Sequence, residues 1–212
     1  MQDVYILSGL GVDERVFKNI DFGKFNPIFI KWIEPATNES IESYAKRLLE
    51  QITTERPILI GLSFGGMMAI EIGKLINTDK IILLASAKTK HEIPNYYRLS
   101  GKMNLHNLLP SKVLKQNNIV TNWFFGTEQK SEKDLLTQIL KDTDSKLLKW
   151  SIDKIVKWKN EIIPEKVIHI HGNKDKILPI NFVRCNYVIK DAGHFMTMTH
   201  ADEISTLLQK II

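Results

Sequence analysis

Six short runs dominated by apolar residues, none alternating with polar ones, place the strongest constraint on how this 212-residue chain folds. They are Val4-Tyr5-Ile6-Leu7, Ile28-Phe29-Ile30, Ile58-Leu59-Ile60, Ile81-Ile82-Leu83-Leu84, Val167-Ile168-His169-Ile170 and Tyr187-Val188-Ile189. A strand with one wet face alternates, so a continuous run needs cover on both faces, as in a parallel sheet sandwiched by helices. Between the second and third runs, Ile41, Tyr44, Ala45, Leu48, Leu49 and Ile52 share one face of a helix over 40–53. A more apolar helix from Phe64 to Leu75 separates the third and fourth. Strand, helix, strand in this order predicts right-handed parallel crossovers.

After Ala85 the strand rhythm stops until residue 167. Three helices are expected in the gap: one capped by Ser111, one capped by Ser131 with Asp134 as its capping-box partner, and one running from Asp144 or Ser145 through Trp158. A last amphipathic helix spans Ala201 to Ile211. The expectation is an α/β fold with about six mainly parallel strands, a core of residues 1–87 and 160–212, and a helical lid inserted over 88–159.

With 43% hydrophobic and 25% charged residues, the chain has the composition of an ordinary globular protein. Its single cysteine, Cys185, excludes an internal disulfide and a zinc ribbon, which suits a reducing cytoplasm. The first residues have neither the basic start nor the apolar length of a signal peptide, and no stretch reaches the ~18 apolar residues of a membrane span. The net charge of +5 is uneven: residues 88–160 hold 14 Lys+Arg against 7 Asp+Glu, and the rest hold 15 against 17. No nucleic-acid recognition motif accompanies the excess, so it reads first as a solvated lysine-rich surface. Its sharper reading is steering of an acidic acyl carrier or an anionic acyl substrate toward the insertion.

Gly61-Leu62-Ser63-Phe64-Gly65-Gly66 falls where the third strand turns into a helix. A serine on so sharp a turn has strained backbone angles, and the flanking glycines avoid clashes that a Cβ would cause. The turn exposes its hydroxyl at the strand's carboxyl end. A hydroxyl alone is a poor nucleophile and needs a base with something to orient it. His171-Gly172-Asn173-Lys174-Asp175 follows the fifth strand and Asp191-Ala192-Gly193-His194-Phe195 the sixth. Asp175 is the candidate acid and His194 the candidate base.

With these three motifs the chain resembles the α/β-hydrolases, whose order is nucleophile, acid, base. The resemblance implies a Ser63–His194–Asp175 triad, an elbow at Ser63, and an oxyanion hole from two backbone N–H groups. One donor is that of Phe64. The other, carried over from the family's His-Gly-x-Gly loop onto Ser8-Gly9-Leu10-Gly11, is that of Leu10, with Ser8 in place of the histidine. It further implies a carboxylesterase- or thioesterase-like enzyme acting on a small-molecule acyl ester or thioester without a cofactor. C–C bond or amide hydrolysis, and a ligand-binding protein with little turnover, are the alternatives.

Trp123, Phe124, Phe125 and Phe195 are candidates to line an acyl pocket. His169 and His171 alternate on a strand without a third ligand at suitable spacing, so no metal site is expected and both read as structural. Asp191 reads as a turn residue with a lesser claim as reserve acid. Asp144 and Asp153 read as solvated, and Cys185 as a small core or surface residue.

Overall fold

A computed structural model of the chain describes residues 2–10, 12–108, 110 and 115–212. Its six strands are β1 (Gln2–Leu7), β2 (Phe25–Phe29), β3 (Ile58–Leu62), β4 (Lys80–Leu84), β5 (Val167–Gly172) and β6 (Tyr187–Ile189). They form one sheet in the order β2-β1-β3-β4-β5-β6, and every neighbouring pair is parallel. Helices α1 (Ile41–Leu48) and α2 (Phe64–Gly73) connect strands as crossovers. Between β4 and β5 lie α3 (Asn95–Lys102), α4 (Ile119–Phe125), α5 (Lys130–Asp142) and α6 (Ser145–Val156). After β6 come the short α7 (Met196–Thr199) and α8 (Ala201–Ile211).

The continuous apolar runs follow from cover on both faces. Val4, Ile6, Ile58, Ile60, Ile82 and Leu84 join one cluster with Ile204 and Leu208 of α8 and Leu135 and Ile139 of α5. Tyr5, Leu7, Leu59, Ile81 and Leu83 point the other way, onto Tyr44 and Leu48 of α1 and Met68 and Ile72 of α2. Each such side chain contributes about 1.5–3 kcal/mol on burial, so a one-residue slip that swapped the two faces would disrupt both clusters at once.

Several boundaries differ from the sequence reading. β2 begins at Phe25 and runs through Pro27, which an edge strand tolerates because a missing N–H there leaves no ladder bond broken. The first helix stops at Leu48 and tightens into a 3₁₀ turn, Leu49–Gln51. α5 is capped from Gln129, with the Glu132 carboxylate accepting from the Glu128 and Gln129 N–H groups; Ser131 and Asp134 lie inside the helix. α6 is capped by Asp144, which accepts from the Leu147 N–H, and ends at Val156 rather than Trp158. α3 and α4 were not anticipated, and the Ser111 cap lies outside the described residues. No helix among the described residues is long and apolar enough to cross a membrane.

Indole donors tie α6 and the residues just after it to the loop before α1 and to α2. Trp150 Nε1 donates to the Glu39 carbonyl at 3.0 Å, and Trp158 Nε1 donates to the buried Glu71 carboxylate of α2 at 2.8 Å. Trp150 also meets the Phe64 ring edge-on at 6.0 Å, so α6 bears on the first residue of α2.

α2 starts so close to β1 that a Cβ on Gly65 would run into the Leu7 and Ser8 backbone carbonyls. Backbone cannot step aside as a side chain does. Gly65→Ala is therefore expected to destabilise the protein by about 3 kcal/mol, at the upper end of overpacking costs. A urea midpoint equal to that of the wild type would contradict this close approach.

Candidate active site

Three loops meet at the carboxyl ends of the strands. β3 breaks at Ser63, whose φ of 52° and ψ of −120° lie outside the ordinary basins for an L-residue. The distortion is held by hydrogen bonds: the Ser63 N–H donates to Leu84 O at 2.9 Å, and its carbonyl accepts from the Ser86 hydroxyl at 2.6 Å and the Gly66 N–H at 2.9 Å. A Cβ on Gly61 would strike the backbone of Gly65 and Gly66, so both sides of the turn depend on glycine. Ser86 was missed by the sequence reading, although its place just beyond β4 at the same rim is a signal for such a role.

The loop after β5 carries Asp175, 4% exposed. Its Oδ1 accepts from the Ile177 and Leu178 N–H groups, both at 2.9 Å, and its Oδ2 lies 2.7 Å from His194 Nδ1. Burial alone would raise its pKa. His194, through charge and hydrogen bond, His171 and the Leu178 N–H outweigh burial and hold the carboxyl below its ordinary value.

The loop after β6 carries His194, whose Nε2 is 2.8 Å from Ser63 Oγ. Gly172 leaves room for the Ala192 backbone, so the loops bearing Asp175 and His194 pack directly on each other. On the other side, Gly126 ends α4 in the left-handed conformation at φ 71°, and its Cα meets Gly193. The Phe195 N–H donates to the Phe125 carbonyl at 3.0 Å, and the Phe125 ring stands edge-on to His194 at 6.0 Å. The end of α4 thus braces the His194 loop. A glycine after an aromatic helical run is a common helix stop, the one sequence signal for this clamp.

Gly9 sits where an added Cβ would lie 3.3 Å from Ser63 Cβ, which brings the β1 loop against the elbow. The Leu10 N–H makes no hydrogen bond among the described residues, and the Phe64 N–H, the first of α2, has no intrahelical partner. Ser8 accepts from Trp32 Nε1 at 3.0 Å, anchoring this loop where the resemblance leads one to expect a histidine.

A cavity of about 100 Å³ beside Ser63 is walled by Leu10, Leu62, Phe125, Ile155, Ile177 and Phe195. Phe125 and Phe195 of the four aromatic candidates are on this wall. Trp123 and Phe124 are off it: Trp123 is 54% exposed, stacked edge-on against Phe124, with Lys176 Nζ 4.1 Å from its ring centre.

His169 and His171 are fully buried, and burial pushes both below the usual histidine range, His169 far below. His171 Nε2 donates to the Leu178 carbonyl at 2.8 Å, beneath the Asp175 turn. Asp191, at φ 61°, pairs with Lys174 at 2.8 Å and faces away from His194 Nδ1, which Asp175 occupies. Asp153 is not solvated as read from sequence but gathers His106, Lys154 and Lys157. Asp144 serves as the α6 cap. Cys185 is a free, half-buried thiol. Among the described residues no group of three or more His, Cys, Asp or Glu side chains is placed to hold a metal ion.

By sequence the chain matches no family model and no curated protein. Solved structures match over its whole length. An esterase from Exiguobacterium antarcticum superposes with a TM-score of 0.69 at 17% identity, covering 100% of this chain and 92% of its own. A bromoperoxidase from Bacillus anthracis gives 0.70 at 15%, covering 99% and 91%. The fold is that of the α/β-hydrolases. A meta-cleavage product hydrolase from Pseudomonas fluorescens shares it at a TM-score of 0.69 and 15% identity, covering 100% of this chain and 90% of that one. Within this α/β-hydrolase fold, the meeting of Ser63, His194 and Asp175 falls at the ends of β3, β6 and β5.

The depressed pKa of Asp175 has a stability consequence. Ionised Asp175 contributes fully above the unfolded carboxylate value of 3.8, and the contribution is lost as pH falls below that through the folded value. Urea midpoints of wild type and Asp175→Asn should therefore converge as pH drops through this window. A gap that is constant or widens there would contradict the assigned direction.

Proposed function

We propose that the protein is a serine hydrolase that cleaves a small-molecule ester or thioester through an acyl-enzyme. The observation that carries this reading is the 2.8 Å approach of Ser63 Oγ to His194 Nε2, with Nδ1 of the same ring 2.7 Å from Asp175. Asp175 accepts a hydrogen bond from the Nδ1–H, which leaves Nε2 unprotonated and able to take the proton of Ser63 as the hydroxyl attacks the acyl carbon. The imidazolium that forms is stabilised by the buried carboxylate and returns its proton to the departing alkoxide or thiolate. Water then repeats the sequence, with His194 again as base, and releases the acid.

The negative charge that builds on the carbonyl oxygen needs donors set in place beforehand. The Phe64 and Leu10 N–H groups fill this role in the proposal, Phe64 from the positive end of α2 and Leu10 from the loop that Gly9 brings against Ser63. A serine at the elbow separates this chemistry from branches of the fold whose nucleophile is a carboxylate. The apolar wall beside Ser63 suits the acyl part of a small molecule.

An acidic acyl carrier at the insertion draws less support. Lys90 and Lys146 are engaged with acids from outside the segment, Glu161 and Glu34, while Lys154 and Lys157 share Asp153, so these four lysines are already paired.

Hydrolysis of p-nitrophenyl acetate tests the proposal. Ser63→Ala and His194→Ala should each lower kcat by roughly 10⁴-fold or more, and Asp175→Asn by about 10⁴-fold through loss of the productive tautomer. A Ser63→Ala protein with kcat within about tenfold of wild type would overturn the assignment of the nucleophile.

A further inference from the structure

β3 and β4 pair side by side, and both end on strained backbone at the same rim. The strain at Ser63 belongs to the elbow. Ala85, just beyond β4, has a φ of 45°, a left-handed angle that alanine adopts only at a cost. Nothing in the proposed triad calls for it. Ala85 is fully buried, and its N–H donates to the Ile170 carbonyl of β5 at 3.1 Å, so the sheet holds the kink in place. The residue after the kink is Ser86. Its hydroxyl reaches back across β3 and donates to the Ser63 carbonyl at 2.6 Å, while its own N–H faces His169 Nε2 at 3.4 Å. Ser86 is fully buried, so it acts only through its neighbours.

The carbonyl that Ser86 holds is one half of the peptide unit whose other half is the Phe64 N–H. A trans peptide is planar, with its C=O and N–H pointing in opposite directions, so fixing one fixes the other. Two further donors meet the same oxygen, the Gly66 and Met67 N–H groups at 2.9 and 3.3 Å, and both lie ahead of it in α2. Among the described donors to this oxygen, Ser86 is the one that comes from another strand, and it holds the plane against swinging about the helix axis. Donors on a carbonyl also polarise the amide and strengthen its N–H as a donor. Gly66 keeps the place open, since a Cβ there would strike Ser86 Oγ.

We infer that Ser86 is a positioning residue for the oxyanion: its hydrogen bond to the Ser63 carbonyl aims the Phe64 N–H at the oxygen of the tetrahedral intermediate, and the strained Ala85 is there to bring it within reach. The inference rests on the hydrolase reading of Ser63. Ser86 makes and breaks no bond with substrate, and its proton stays on its own oxygen.

The test measures kcat and KM for p-nitrophenyl acetate per active site titrated with a fluorophosphonate, so that loss of folded protein does not count as loss of rate. It adds the affinity for n-butylboronic acid, which binds a reactive serine as a tetrahedral anion, and the pH dependence of kcat/KM. Ser86→Ala should lower kcat by about tenfold, the effect of one hydrogen bond, with KM nearly unchanged, because the oxyanion exists only in the transition state. Boronate affinity should fall by about the same factor. The acid limb of the pH profile should stay in place, since the contact between His194 and Asp175 is untouched. Ser86→Cys fills the same space with a weaker donor and should also lower kcat with KM nearly unchanged.

A Ser86→Ala protein with the kcat of wild type would overturn the inference, as would a rise in KM alone. So would full activity in Ser86→Cys, which would make Ser86 a packing residue, or a shifted acid limb, which would mean that it acts through His194. Should Ser86→Ala not fold, Ser86→Cys decides by the same measurements. Each of these outcomes leaves the hydrolase reading intact, because wild type still cleaves acetate and binds the boronate. If wild type does neither, the hydrolase reading fails and this inference falls with it.

Discussion

The close approach of backbone to backbone at the carboxyl rim of the sheet is the constraint on which everything else in this protein depends. Gly61, Gly65 and Gly172 each stand where a Cβ would strike main-chain atoms of a neighbouring turn. This closeness allows a strand to break at Ser63, a helix to start at Phe64, and the Asp175 and His194 loops to lie on each other. Side chains as short as serine and aspartate reach only a few ångströms. Without glycine at these positions the hydroxyl, imidazole and carboxylate would stand too far apart for hydrogen bonds of 2.7 and 2.8 Å. The strained Ser63 backbone is the local cost, offset by bonds from Ser86 and Gly66 and by the core beneath it.

Charge at the rim follows from the same packing. A carboxylate buried at Asp175 would be unfavourable alone, yet two backbone N–H donors and the His194 ring keep it ionised. The two Asp175 oxygens divide the work: one is fixed by the chain that follows it, the other faces His194. A rigid acid is a condition for holding a histidine in one tautomer, which ties the local fold to the proposed chemistry. The α4 terminus completes the brace through Gly126 and the Phe125 carbonyl.

Much of this was legible in the sequence, for identifiable reasons. Parallel strands buried on both faces leave continuous apolar runs, so five of the six strands sit close to their apolar signals. The elbow declares itself because glycine is needed on both sides of Ser63, and the motifs bearing Asp175 and His194 each follow a strand. The start of edge strand β2 was read late because only Phe25 of Phe25-Asn26-Pro27 is buried, which leaves no continuous apolar run there. The α5 cap was misplaced by two residues because Gln129 and Ser131 both stand before suitable acids, and only the chain path decides between them. In the insertion, aromatic content suggested a pocket wall, but only Phe125 of its three aromatic candidates borders the cavity at Ser63, while Trp123 is exposed and Phe124 is half-buried away from that wall. Which face of an inserted helix looks inward depends on neighbours distant in sequence, and periodicity alone does not supply them.

The central claim is that Ser63 is a hydroxyl made nucleophilic by His194. Its most direct test is covalent: exposure of the folded protein to a fluorophosphonate, followed by mass spectrometry of the peptide that contains Ser63. The account predicts one stoichiometric adduct on Ser63, formed quickly in wild type and very slowly in His194→Ala. An intact wild-type protein that acquires no adduct, or labels equally fast without His194, would contradict it.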